Sequence, residues 1–303
     1  MISKYTYKKL TWVDLESPTN EEILSLIEQY NLPLLVGEEI AGTTLRSKVD
    51  VYPNALYLVL HFPSLSHTNS EPCEQEVDFI IGKDFLITIH YELIDPLHEF
   101  SKVFEANSIL DKSMMGDHAG FLFFYIIREL YKHLAHELDS MNGSLKEIKK
   151  LIFDGNEEQM VQEISKINHR LLDFKQAIRF HNETLKSFET AGRHFFGDGF
   201  GYYLSAITGE YNKVSNMLEG HREILADLRD TNDSILRSKV DDTMKKLTVM
   251  SFIIMPLTLI ADVFCMNTFF PILRTTKDFY TVIGAMVAMA LIMYVYFKRK
   301  KWF

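Results

Sequence analysis

Two apolar runs lie close together near the C-terminal end of this chain, and they decide most of what it can become. Leu247 to Asn267 is 21 residues long with Asp262 as its only formal charge, and Phe279 to Phe297 is 19 residues with none. At 1.5 Å per residue each reaches roughly 30 Å, about one hydrocarbon thickness. The 11 residues between them, TFFPILRTTKD, suffice for a turn and not for a domain. A membrane hairpin is therefore expected, with 247–267 and 279–297 as its spans and 268–278 as its loop.

Basic residues orient the hairpin. Lys245 and Lys246 precede the first run, and Lys298, Arg299, Lys300 and Lys301 follow the second, with Trp302 suited to an interface. The positive-inside rule puts both ends in the cytoplasm and the loop outside, as a multi-pass protein of the cell inner (plasma) membrane. Arg274 and Lys277 in the loop weaken that contrast without reversing it. The N-terminal stretch MISKYTYKKLTW lacks the apolar core of a signal peptide, so residues 1–246 are expected to stay on the cytoplasmic side. Their lipid-bilayer partner is met only through the hairpin and the basic tail, 298–303. A net charge of −9 excludes a general nucleic-acid binder. Cys73 and Cys265 are too few for a disulfide framework or a cysteine-based zinc site.

The cytosolic part divides by character, giving an α+β N-terminal domain over 1–105, a helical region over 106–202 and a long stalk helix over 203–246. In the first, TWVDL reads as a strand. Ser17, Pro18 and Thr19 lead into a helix beginning with Glu21 and Glu22. SKVDVYPNALYLVLHFPSL and EVDFIIGKDFLITIHYE are β-rich, joined by a polar loop from Ser66 to Gln75, and Gly82-Lys83-Asp84 reads as a hairpin turn. No proline occurs between Pro96 and Pro256, and helical spacing predominates there. Breaks are expected near Gly116, Gly143, Gly155 and within Gly192 to Gly201.

From about Tyr203 a helix can run unbroken into the first membrane span. Val214, Leu218, Leu225, Leu228 and Ile235 form an apolar stripe, with Asp227, Asp230, Ser234, Arg237 and Asp241 roughly opposite. In a monomer water simply wets that polar face; in a symmetric ring it lines an acidic passage. Continued at the same spacing, the stripe reads Met244, Leu247, Ser251, Met255, Thr258, Asp262 and Cys265, the seam of a helix that packs on copies of itself. Apolar rings toward the cytoplasm and polar groups farther out are what a pore-lining helix requires. An ionisable residue inside a span points to function, and Asp262 is tolerable where it meets water and cations. The alternative is that it turns sideways and bonds a neighbouring helix.

The run MKKLTVMSFIIMPLTLIADVFCMN, the ending YFKRKKWF and the upstream segments VDLESPT, LYLVLHFP and DFLITIH together resemble the CorA family of divalent-metal transporters, over essentially the whole chain. That resemblance implies a funnel-shaped homopentamer moving Mg2+, and with it Co2+ or Ni2+, down the membrane potential. It implies an outer selectivity filter at Asn267 and Met266, beside Cys265. It further implies Mg2+ as the substrate and as a regulatory ligand, with no resident cofactor and no enzyme activity. Mg2+ sheds water reluctantly and prefers six oxygens, so a ring of amide oxygens suits the hydrated ion.

Four departures stand out. The family's Gly-Met-Asn motif reads Cys-Met-Asn here, with Cys265 as either a small hydrophobe or a thiolate ligand for softer ions. Asp262 replaces a glycine one turn earlier, and the loop has Ile272, Leu273 and Arg274 after Pro271 in place of an acid. Asp262 is thus expected to carry the negative ring inside the pore. In SAITGEY, Ala206 and Gly209 stand where the family has regulatory acids, which leaves Glu210 and, from a neighbouring subunit, Asp95 as weaker substitutes.

The rival readings are a Zn2+ transporter of the same fold, proton-coupled through Asp262, and a non-conducting metal sensor or scaffold. Other motifs carry little. His133 and His136 are one turn apart beside Glu137 and read as a solvated helix face, and GDGFG has no preceding strand to make a phosphate cradle. No Walker sequence or catalytic triad spacing is present, so transport is expected to be passive. Pro256 frees the carbonyl of Phe252 and is expected to kink the first span.

Overall fold

The computed structural model describes residues 2–44, 46–63, 74–109, 116–265, 276–300 and 302. They fall into two compact units, Met1–Arg229 and Asp230–Phe303.

The first unit is built on a six-stranded sheet: β1 (Ile2–Tyr7), β2 (Leu10–Glu16), β3 (Lys48–Val51), β4 (Leu56–Pro63), β5 (Glu74–Ile81) and β6 (Phe85–His90). Their order is β1-β2-β6-β5-β4-β3, antiparallel except where β2 runs parallel to β6. The Gly82–Asp84 turn joins β5 to β6 as expected, closed by the Gly82 N–H donating to Phe85 O at 2.8 Å. Glu74 and Gln75, assigned above to the polar loop, belong to β5, because they pair with Pro63 and Phe62 across the ladder. The loop residues 64–73 lie outside the described ones.

Nearly every residue of β4 and β5 is buried, because both faces of the sheet are covered. On one face lie α1 (Asn20–Tyr30) and α2 (Leu34–Ile40), whose Ile23, Leu26, Ile27 and Val36 close a core with Val13, Leu15, Tyr57, Val59, Ile80, Ile87 and Ile89. α1 starts at a capping box: Thr19 Oγ1 accepts from Glu22 N–H at 3.3 Å, and Glu22 Oε2 accepts from Thr19 N–H at 2.8 Å. Asn31 ends it in the left-handed region at φ 50°.

The other face receives α3 (Asp95–Ile109), α4 (Ala119–Phe153) and α6 (His181–Phe196). Aromatic edges dominate there, with Trp12 against Phe100 and Phe104, and Phe79 against Phe123 at 5.2 Å. α4 outruns the sheet and pairs with α5 (Glu157–Ala177) as an antiparallel arm. Leu134, Leu138, Met141, Leu145, Ile148 and Ile152 face Met160, Ile164, Ile167, Leu171 and Phe174, all buried, at steps of three and four.

Gly155, at φ +92°, makes the turn between α4 and α5, and Gly197, at φ +91°, ends α6 before a short 3-10 turn at Asp198–Phe200. Gly143 does not break α4, contrary to expectation. The buried Met141 and Leu145 on either side hold the helix, and tertiary packing outweighs the roughly 1 kcal/mol glycine penalty. A break that no glycine or proline announces separates α5 from α6 at Ile178–Phe180.

One buried polar site sits within the α1/α2 face. Asp78 is fully buried with Tyr57 Oη donating to its Oδ2 at 3.1 Å, and nearby Glu76 accepts from Thr44 N–H at 2.8 Å. Burial first, and then the Glu76 charge, hold the Asp78 carboxyl well above the usual carboxylate range. The folded chain keeps this proton where the unfolded chain has lost it, so the site's contribution to stability is present at acid pH and lost as pH rises. Asp78→Asn is therefore expected to raise the urea midpoint at about pH 8 relative to wild type and to lose that advantage only below about pH 4, where the unfolded carboxyl is protonated too. An equal effect at both would show that Asp78 is ionised in the fold.

The second unit continues α7 (Gly201–Cys265), a single helix of 65 residues that begins in the first unit, and adds α8 (Thr276–Arg299). Pro256 lies inside α7 without ending it.

Candidate pore-lining helix

Along its first-unit portion α7 buries Leu204, Ile207, Tyr211, Val214, Leu218, His221, Leu225 and Leu228, at alternating steps of three and four. His221 occupies one of these positions with its Nδ1 unpartnered. Burial lowers the imidazole's proton affinity, and Asp139 pulls the other way. Ile235, the last member of the apolar stripe, is half-buried. Asp227, Asp230, Ser234, Arg237 and Asp241, the polar stripe, are all exposed.

The membrane portion has two faces of different kinds. Val249 is buried, and Ile253, Pro256 and Ile260 are half-buried on the same face. Among the α8 residues from Tyr280 onward, Val282, Met286, Ala290, Met293 and Phe297 are half-buried, again at steps of three and four. Phe252 and Phe297 stand 6.3 Å apart, which joins the start of the first span to the end of the second and makes the pair an antiparallel hairpin. Met244, Leu247, Ser251, Met255, Thr258 and Asp262 are all exposed, Met255 to 72%. At 3.6 residues per turn these seam residues centre about 170° around the helix from the face that meets α8. The hairpin thus covers one side of α7 and leaves the polar seam open.

The seam hydroxyls bond backward along the helix. Ser251 Oγ donates to Leu247 O at 3.0 Å and Thr258 Oγ1 to Met255 O at 2.8 Å. Spacing alone does not signal these contacts. Cys265 is the last residue of α7; Met266 and Asn267, the expected filter, lie outside the described residues.

Glu210 Oε1 stands 3.9 Å from Arg128 Nε, so its charge is already partly matched. Asp95 opens α3. Among the described residues of one chain, no three His, Cys, Asp or Glu side chains are placed to hold a metal ion. His133 is half-buried and His136 exposed, and with Glu99, Phe100, Val103 and Glu129 they border a cleft of about 440 Å³ between α3 and α4. Two helices of the described chain, α7 and α8, contain windows apolar enough to cross a membrane, and almost none of that surface is buried within a single copy. Such a surface needs lipid or further protein to cover it.

Comparison with known proteins agrees with this architecture. The cobalt/magnesium transport protein CorA of Thermotoga maritima is 24% identical over 297 residues, covering 96% of this chain and 83% of that protein. The complete structure of the CorA magnesium transporter from Methanocaldococcus jannaschii superposes with a TM-score of 0.84 at 18% identity, over 99% of this chain and 94% of that one. The full-length CmaX protein gives 0.75 at 13%, over 97% and 89%. These structural likenesses fix the fold, a mixed-sheet domain and a long helix entering two C-terminal membrane helices. Residues 7–299 match the model that describes CorA-like Mg2+ transporter proteins, and the chain belongs to that family.

Proposed function

We propose that five copies of the chain assemble with α7 innermost and carry divalent cations, Mg2+ foremost, passively into the cytoplasm. The observation that carries this reading is the placement of α8 on the side of α7 opposite the seam. A ring built from such hairpins puts α8 toward lipid and the seam residues around a central axis. The number five rests on the family resemblance. The same reading makes the protein a transporter of the inner membrane with cytoplasmic termini, and no enzyme.

In this arrangement Asn267, beside Met266, offers amide oxygens to the hydrated ion at the outer mouth, where the end of α7 also presents unpaired carbonyls. Asp262 and Thr258 follow, then Met255, Ser251, Leu247 and Met244 as a constriction, and Asp241 at the cytoplasmic mouth. An inside-negative potential drives a divalent ion with about 4.6 kcal/mol per 100 mV, twice the figure for a unit charge, so no nucleotide is required. Regulation by cytosolic Mg2+ through Asp95 and Glu210 has to compete with Arg128, which Glu210 already faces.

Proteoliposomes of the purified protein, held at an inside-negative potential and loaded with a Mg2+ dye, test it. Rapid Mg2+ entry is expected, reduced about tenfold or more by Asn267→Ala, which removes a whole ring of acceptors. Entry of Zn2+ alone would favour the second reading, a Zn2+ transporter coupled to protons. The placement of Asp262 and Cys265 three residues apart in α7 supports that alternative. Entry of neither ion into a well-assembled preparation would leave the sensor or scaffold.

A further inference from the structure

The constriction is not uniformly apolar, and that has a consequence for how it opens. Met244, Leu247 and Met255 are exposed on the seam, and Ser251 sits among them, one turn from Leu247 on one side and one turn from Met255 on the other. From Met244 to Met255 the helix rises about 16 Å, and Ser251 falls within the last two thirds of that length. Narrow apolar passages close by losing their water, so a polar group inside one sets how readily it refills.

The orientation of this group matters as much as its presence. Ser251 Oγ donates its hydrogen to Leu247 O at 3.0 Å, which leaves its lone pairs as the atoms offered to the seam. The water around a cation turns its oxygens toward the ion and its hydrogens outward. An acceptor on the wall therefore suits a hydrated cation and not a hydrated anion. The leucine and methionine neighbours supply no competing polar atom at that level.

We propose that Ser251 is the wetting step of the constriction: a ring of hydroxyl acceptors that keeps water and the hydrated cation continuous between the Leu247 and Met255 rings. This rests on the pore reading above. It makes Ser251 a determinant of ion passage that is separate from the outer filter.

The test is Mg2+ influx into proteoliposomes at an inside-negative potential, comparing wild type, Ser251→Ala, Ser251→Val and Ser251→Asn. Assembly is verified for each by size-exclusion chromatography. Ser251→Ala is expected to lower influx about tenfold, the order of effect of losing a hydrogen-bond acceptor. Ser251→Val, with a wholly apolar passage, is expected to lower it further, and Ser251→Asn to preserve most of it. Correctly assembled alanine and valine variants that conduct like wild type would overturn the wetting role while leaving the transporter reading intact. A wild-type assembly impermeable to Mg2+, Co2+ and Zn2+ would overturn the transporter reading, and the wetting role with it.

Discussion

Replacing Asp262 by lysine is expected to abolish divalent influx, and replacing it by asparagine to lower it about tenfold. Asp262 is exposed on the same stripe as Thr258 and Met255, so in a ring its five copies surround the axis. A unit charge about 6 Å from a divalent ion in a water-like medium acts on it by about 1.4 kcal/mol. Five lysines would sum to about 7 kcal/mol of repulsion, a rate factor near 10⁵. Asparagine removes the attraction but keeps an oxygen that accepts from the ion's hydration water, so part of the function survives. The measurement is influx of Mg2+ and Zn2+ by assembled variants at fixed potential. Unchanged influx in the lysine variant would place Asp262 away from the axis, bonding a neighbouring helix. Joint replacement of Asp262 and Cys265 by glycine separates a third case: influx that appears only in that double variant would mark the natural chain as a closed relic.

Much of this architecture was legible because its signals are local. The two spans announce themselves by length and lack of charge, the β5–β6 hairpin by Gly82, and the start of α1 by Thr19 and Glu22. The seam on α7 is legible for the same reason, since residues at steps of three and four share a face of any helix. Other features depend on packing at a distance. β1 alternates Ile2, Ser3, Lys4, Tyr5, Thr6 and Tyr7 with half its residues exposed, as an edge strand does, and that pattern is too polar to stand out. The α5–α6 break has no glycine or proline, and Ile178 is buried within it. Gly143 misleads because the arm formed by α4 and α5 supplies what the residue lacks. The cover that α8 gives to the back of α7 also came only with the fold. That cover turns a polar stripe into a candidate lumen, and it could not be read from the spacing of α7 alone.

The cytosolic domain offers the second large effect, at His181. This residue is fully buried at the start of α6, stacked edge-on between Phe62 and Tyr131. His61 O can only accept, so His181 Nε2 carries the hydrogen and donates to it at 2.7 Å, and Nδ1 accepts from Tyr131 Oη at 2.8 Å. The ring thereby ties β4, α4 and α6 together as a neutral imidazole. Burial pushes its pKa down to about 3, with the His61 carbonyl opposing in part. The unfolded chain takes up a proton near pH 6.5 while the fold refuses it, so stability is full above that pH and falls as pH drops toward 3. At about pH 4.5 the loss from this residue alone amounts to roughly 2–3 kcal/mol.

Asp78 changes stability in the opposite sense over part of the same range, so wild-type data alone would blur the effect. The informative quantity is the difference between wild type and His181→Gln at each pH, in which distant groups cancel. Urea unfolding of the full chain in detergent, followed through the buried Trp12, supplies it. The glutamine variant is expected to be about 3 kcal/mol less stable at neutral pH, since a buried relay and its packing are disturbed. That deficit should shrink to near zero by about pH 4.5, because glutamine has no proton to take up in the unfolded chain. A deficit that stays constant with pH would mean that the imidazole is charged in the fold, or reached by water. In either case His181 would still hold the joint between the sheet and the helical arm, but not as a dry, neutral imidazole.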